Sequence, residues 1–174
     1  LIKLDVIVYA TGYDAFTGTP TRIDIRGTRG TLAEAWAAGA HAYLGLQVPG
    51  FPNLFLVTGP QSPAVLSNMV VSIEQHVEWI VDALTAAREE GTVRFEASEE
   101  AEREWLDHAA ELGELMVYRS ASSWYVGANV EGKARVVLPY LGGGGPFRAK
   151  CEQVAQDGYT GFVLTADTAA SPVG

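Results

Sequence analysis

Cysteine is nearly absent from the sequence: Cys151 is the single one among 174 residues. One thiol cannot close an internal disulfide, and the amino-terminal stretch lacks the basic, apolar and small-residue regions of a secretory signal, so a reducing, cytoplasmic setting is expected. Cations are scarce too, with 12 Lys and Arg against 21 Asp and Glu, a formal net charge of -9 and a pI near 4.7. That balance excludes a nucleic-acid footprint and attachment to an anionic membrane, since both rest on clustered basic residues. No apolar run approaches the ~20 residues needed to span a bilayer. His41, His76 and His108 are scattered, and there is no His-Glu-x-x-His, no zinc-type spacing and no Gly-x-Ser-x-Gly. Neither a metal site nor a self-contained catalytic residue is therefore expected. Gly-x-Gly-x-x-Gly after a strand is also missing, so the chain by itself lacks the usual grip on a dinucleotide pyrophosphate.

What is present is a 48% hydrophobic sequence of single-domain length, enough for one core. Residues 4–10 form a nearly continuous β-branched run, the pattern of a strand buried on both faces. The chain enters this run directly from Leu1, which reads as a piece cut from a longer protein. Further strands are expected at 22–26, 42–48, 53–58, 135–141 and 159–165, with proline-glycine turn chemistry at 49–52. A short helix over 31–38 carries the capping-box pair Thr31 and Glu34, Trp36 as core anchor and Gly39 as stop. Ser98 caps another helix with Glu99 and Glu100 in its first turn and Trp105, Leu112 and Leu115 on its apolar side. The acidic run at 96–104 reads as a solvated helix face. Gly142 to Gly145 form a turn, since no Lys-Ser or Lys-Thr follows to make a phosphate loop, and 148–156 is a short amphipathic helix.

The centre of interest is 59–69 (GPQSPAVLSNM), where an extended run passes through two prolines into a helix that leaves from about Ser67 and ends at Gly91. That helix places Ile73, Val77, Ile80, Val81 and Leu84 on one stripe, the expected core face, and His76 on it reads as structural. A helix N-terminus offers unpaired N–H groups to an electron-rich ligand edge. The alternative is a plain strand-to-helix connection. Residues 120–129 (SASSWYVGAN) lack a period, and Trp124 there either meets a ligand or packs under its own loop.

Seven runs, 5–14 (DVIVYATGYD), 43–46 (YLGL), 51–55 (FPNLF), 59–63 (GPQSP), 72–79 (SIEQHVEW), 123–129 (SWYVGAN) and 158–162 (GYTGF), together resemble the C-terminal third of a Baeyer-Villiger monooxygenase. The resemblance covers nearly the whole chain. It implies an α/β fold, the C-terminal portion of the Rossmann-like FAD-binding domain in a flavoprotein with two dinucleotide-binding domains. Residues 1–165 would belong to that domain, including a mobile loop at about 118–133, and 166–174 would be a disordered tail. It further implies FAD and NADPH as cofactors, and a ketone and O2 as substrates, with one oxygen atom inserted to give an ester or lactone. Met69 then corresponds to a residue whose backbone meets the flavin, Trp124 to one whose indole N–H reaches the NADP ribose, and Ala64, Val65 and Leu66 to a bulge lining the ketone pocket. No catalytic residue falls in this stretch, because the family's arginine and aspartate and its Gly-rich fingerprints lie upstream of Leu1. The missing N-terminal part of the same protein is accordingly the expected partner.

Two other readings stand beside this one. The first is an N- or S-oxygenating flavin enzyme of the same superfamily, and the second a non-catalytic module that keeps the fold.

Overall fold

The computed structural model describes residues 2–10, 12–63, 67–114, 123–128 and 130–166. Helix α1 (Leu32–Ala35) starts at the expected capping box: Thr31 Oγ1 accepts the Glu34 N–H at 3.2 Å and the Glu34 carboxylate accepts the Thr31 N–H at 2.7 Å. It is shorter than the expected helix and gives way to turns, with Trp36 buried beneath it and donating its indole N–H to the His41 carbonyl at 2.9 Å. A two-residue hairpin, β1 (Arg26–Gly27) with β2 (Gly30–Thr31), precedes it. The strand expected at 22–26 is thus displaced to Arg26, because Pro20–Arg22 take up a 3-10 turn first.

Helix α2 (Met69–Glu89) is capped by Asn68, whose side chain accepts the Val70 N–H at 3.0 Å, and Gly91 beyond its end takes the left-handed φ of 68° that favours glycine. Strand β3 (Thr92–Ala97) follows, then α3 (Glu99–Glu114) with Ser98 as N-cap, α4 (Gly144–Gln156) and β4 (Phe162–Ala166). Strands β3 and β4 pair antiparallel, Phe95 opposite Leu164 and Ala97 opposite Phe162. The sequence reading assigned no strand to 92–97, although only six residues separate the helix stop from the next cap. Helix α4 starts inside the glycine run, four residues before the expected helix. Pro146 falls in its first turn, where a missing N–H breaks no helical hydrogen bond.

The aromatic core lies between these elements. Trp79, Phe95, Trp105, Tyr140 and Phe147 are buried together with the lone Cys151, whose thiol burial pushes up to about 12. Tyr159 and Phe162 pack on them, and Trp79 donates its indole N–H to the Cys151 carbonyl at 3.0 Å. A second cluster joins Leu32, Trp36, Val48, Phe51 and Leu138.

Several expected strands are not strands. Residues 42–48 fold back through Leu44 and Gly45, both at left-handed φ, so that the Tyr43 N–H donates to the Gln47 carbonyl at 2.8 Å and every residue from 42 to 50 is buried. Residues 53–58 and 135–141 form no regular strand: the first begins and ends at left-handed φ, at Asn53 and Thr58, with the Asn53 N–H donating to the Phe95 carbonyl of β3 at 2.9 Å, and the second bonds to the Gln61 loop and the Trp124 turn. The run at 4–10 is neither paired nor buried: Val6, Val8 and Tyr9 are 75%, 81% and 83% exposed. A two-faced strand needs a neighbour on each side, and none of the described residues provides one.

Of the expected apolar stripe of α2 only Ile80 packs against the core; the rest faces the other way. Ser72, His76, Trp79, Ala83 and Ala87 are buried, whereas Ile73, Val77, Val81 and Leu84 are exposed. The small residues Ala83 and Ala87 let the body approach closely on their side, and Trp79 anchors it. A helix apolar on both faces is one that belongs inside a larger assembly. The acidic run is divided as well: Glu96 accepts the Gly50 N–H at 2.6 Å and Glu102 is only 8% exposed, while Glu99 and Glu100 face solvent. No helix among the described residues is long and apolar enough to cross a membrane.

Glu102 joins α3 to the α1 turn by a 2.8 Å contact between its carboxylate and His41 Nδ1, while His41 Nε2 lies 3.3 Å from the Ala35 carbonyl. Burial alone would lower the His41 pKa, but the Glu102 hydrogen bond and charge, with the Ala35 carbonyl, outweigh it and raise the value above 6.5. The folded state therefore binds the proton more tightly, so this stabilisation is complete below the unfolded imidazole value and lost as pH rises through the higher folded one. Thermal unfolding measured from about pH 6 to 8 should show stability falling across that window, with the fall reduced in His41→Gln. The exposed stripe makes a second expectation: Val77→Lys with Val81→Lys in this 174-residue chain lowers binding of a hydrophobic dye and leaves helical circular dichroism unchanged, stability moving by about 0.5 kcal/mol or less.

Candidate functional site

The loop that leads into α2 is built from buried polar groups rather than from a sheet. Gln61 is 2% exposed and holds a left-handed φ of 59°. Its Oε1 accepts the Ala42 N–H at 3.0 Å, and its Nε2 donates to the Ala40 and Val137 carbonyls at 3.2 and 3.0 Å. Its backbone N–H donates to the Leu138 carbonyl at 2.5 Å, and the Tyr140 N–H returns a bond to the Ser62 carbonyl at 2.6 Å. Ser62 closes the turn on itself, its hydroxyl donating to the Gly59 carbonyl at 2.7 Å. Pro60 and Pro63, both fully buried, fix φ on either side. Gly45 lies against this loop, and a Cβ there would come within 2.6 Å of the Ser62 side chain.

Thr58, a β-branched residue, is held at φ 53°, an outlying conformation costing about 1–3 kcal/mol. Its N–H donates to His76 Nδ1 at 3.0 Å, and His76 is completely buried on α2. Burial pushes the His76 pKa down to about 4, so the ring is neutral, and because Nδ1 accepts, the proton sits on Nε2, which has no hydrogen-bond partner among the described residues. The histidine expected to be structural pins the strained residue ahead of the loop to the helix behind it.

Met69 is the first residue of α2 and half-buried. Asn68 occupies the Val70 N–H, but the N–H groups of Met69 and Val71 donate to no described residue. Among the described residues only Asn68 caps the positive end of this 21-residue helix, the end that favours an electron-rich edge. Ala64, Val65 and Leu66 lie outside the described residues, as do residues 115–122, 129 and 167–174.

Trp124 begins a 3-10 turn, Trp124–Val126, whose N-cap Ser123 accepts the Tyr125 N–H at 3.2 Å. The ring is half-buried, stacked on Phe16 at 5.8 Å and 28°, and its indole N–H donates to no described residue. Packing and an available donor therefore coexist. Tyr125 offers its carbonyl to the Leu138 N–H at 2.8 Å, so the extended stretch at 137–140 is bonded to the Gln61 loop on one side and to the Trp124 turn on the other. That strap ties together the two stretches singled out from sequence. The Gln61 carboxamide, quoted in the sequence motif but given no role there, makes the join. A side chain's reach across 76 residues leaves no local signal.

Several cavities formed by the described residues lie elsewhere. One of about 470 Å³ is lined by Tyr43, Glu104, Trp105, His108, Tyr140 and Lys150, and the others likewise omit Met69 and Trp124. Among the described residues no group of His, Cys, Asp and Glu is placed to hold a metal ion.

No family model matches the chain. Known proteins do. The chain is 44% identical over 165 residues to an acetone monooxygenase (methyl acetate-forming) of Gordonia sp. (strain TY-5), covering 94% of this chain and 31% of that protein. It is 37% identical over 162 residues to a Baeyer-Villiger monooxygenase of Pseudooceanicola batsensis, covering 92% and 29%. Over nearly its whole length the chain is homologous to a stretch of Baeyer-Villiger monooxygenases. A phenazine N-monooxygenase of Lysobacter antibioticus is 39% identical over 166 residues, covering 95% and 30%. Among solved structures, the closed crystal structure of cyclohexanone monooxygenase matches with a TM-score of 0.90 at 41% identity over 95% of this chain and 31% of that one. A crystal structure of an OTEMO complex with FAD and NADP matches at 0.85 and 37% identity, over 94% and 30%. The chain thus spans about three-tenths of the Baeyer-Villiger monooxygenases and related proteins it matches.

Within this Baeyer-Villiger segment the Gln61 join is open to direct test. Gln61→Leu keeps the approximate volume but strands a buried N–H and two carbonyls, and each unsatisfied group costs about 1–3 kcal/mol. Urea unfolding should show a loss of at least ~3 kcal/mol.

Proposed function

We propose that this chain completes the FAD-binding domain of an FAD- and NADPH-dependent Baeyer-Villiger monooxygenase, which inserts one atom of O2 into a ketone to give an ester or lactone. The correspondence with cyclohexanone monooxygenase in both sequence and fold, over nearly the whole chain, carries the reading. The residues fit the cofactors: the open N–H at Met69 suits an electron-rich flavin edge, and the half-buried Trp124 offers a flat apolar plate with one donor for the NADP ribose. When bound and reduced by NADPH, FAD supplies the activated oxygen.

This chain's own residues bind and orient. Helix α2 directs its positive end at the cofactor, and the Gln61 knot fixes the approach to that helix. Ala64, Val65 and Leu66 shape the ketone pocket. The remainder of the flavin and nucleotide sites, with the charged groups that act in the reaction, comes from the rest of the same polypeptide. The exposed apolar run at 2–9 and the outer stripe of α2 supply the surfaces that part would cover.

The second reading, oxygenation of nitrogen, is favoured by the phenazine N-monooxygenase relative. Expression of the full open reading frame separates them. Flavin absorbance, NADPH oxidation that responds to a ketone, and ester or lactone product are expected; N-oxide formation with no ester returns the second reading. The 174-residue chain alone should emerge from gel filtration without FAD or NADPH. In the complete enzyme Trp124→Ala should raise the KM for NADPH about fivefold, the loss of one hydrogen bond of ~1 kcal/mol, and uncouple oxygen uptake from ester formation.

A further inference from the structure

Besides the Tyr125 bond to Leu138, the Trp124 turn meets residues 14–17 through two contacts of different physical kind. Phe16 stacks on the Trp124 ring, and two residues earlier Asp14 receives the Lys133 ammonium at 2.5 Å. Both charged side chains are largely shielded, 23% exposed for Asp14 and 16% for Lys133. The carboxylate is preorganised: the Thr17 hydroxyl lies 2.7 Å from each of its oxygens. Burial pushes the Asp14 pKa upward, yet Lys133 and Thr17 outweigh that and hold it below 3.8. Lys133 reaches this partner by crossing the end of the Trp124 turn. Gly127, at φ 71°, leaves the room, because a Cβ there would come within 3.3 Å of the Lys133 stem and 3.0 Å of the Ala134 carbonyl.

We propose that Asp14 and Lys133 are a positioning pair that docks the Trp124 turn against residues 14–17 and so sets how well the enzyme engages NADPH. The inference rests on the reading of Trp124 as the residue that meets the NADP ribose. Lys133 acts through the turn it spans, and Asp14 acts through Lys133; neither needs to touch the nucleotide. The sequence separation of 119 residues makes the pair a long-range clasp on the side of the turn facing residues 14–17, where the ring stack is the other contact, while the Tyr125 carbonyl ties the opposite side to Leu138.

The experiment uses the complete flavoenzyme with Lys133→Met, Asp14→Asn and the exchanged pair Asp14→Lys with Lys133→Asp. Each single change should raise the KM for NADPH about fivefold, the effect of one ion pair of ~1 kcal/mol, and leave the KM for ketone unchanged. Each should also speed chymotryptic cleavage after Trp124 and Tyr125 in the absence of nucleotide, and the exchanged pair should recover much of both losses. Asp14→Asn decides the matter against a direct attraction between Lys133 and the nucleotide phosphates. That alternative predicts tighter NADPH binding when a carboxylate is removed, the clasp weaker binding. A wild-type NADPH KM and cleavage rate in both single variants, tighter binding in Asp14→Asn, or an exchanged pair no better than the singles would overturn the proposal. If the wild-type protein carries no flavin and does not oxidise NADPH, the functional reading fails first, and the cleavage rates alone then support or overturn the clasp.

Discussion

The Gln61 carboxamide satisfies buried backbone groups of two segments distant in sequence, Ala40 to Ala42 and Val137, and most of the architecture around the candidate site depends on it. These segments run without a regular sheet, so their polar groups have few other partners. A buried amide left without a hydrogen bond costs more than a made one contributes, and the balance therefore favours one arrangement strongly. The left-handed backbone at Gln61 and Thr58 is the strain this arrangement holds, and the buried bonds to Leu138 and His76 offset it.

From that knot the order spreads outward along the stretch at 137–140, which pairs with the loop on one edge and with Tyr125 on the other. Helix α2 is reached through His76, α3 through the stacked rings of Trp105 and Tyr140 at 4.9 Å. The partly shielded ion pairs, His41 with Glu102 and Asp14 with Lys133, each join segments far apart in the chain. The more exposed pairs contribute little, whether local, as Arg148 with Glu152 within α4, or distant, as Arg29 with Glu99.

Two surfaces carry apolar and polar groups that lack partners among the described residues. The run at 2–9 and the outer stripe of α2 expose aliphatic side chains, and the Met69 and Val71 N–H groups at the first turn of α2 donate to no described residue. Apolar area and unpaired donors both favour contact with something further, the first without direction and the second with a preference for negative or electron-rich atoms. The proposed cofactor-binding role, shared with the rest of a longer polypeptide, is consistent with both.

Local rules carried the features whose causes are local. The Thr31 and Glu34 box, the Ser98 cap, the Gly91 stop and the turn at 49–52 depend on residues within a few positions of one another, and all are present. The family, too, was legible in short runs that need no folding to be read. Tertiary structure decided the rest. The alternating and β-branched runs at 42–48, 53–58, 135–141 and 4–10 have strand character, but a strand exists only with a partner at hydrogen-bonding distance, and a sequence does not name its partners. Helix α2 offered two apolar faces at equally good spacing, and the core took the one with Trp79 and two alanines because it packs more closely. Gln61, His76 and Lys133 gained their roles from groups 18 to 119 residues away. Such contacts are specified by the whole fold at once, since a hydrogen bond or ion pair acts over a few ångströms in space and is indifferent to distance along the chain.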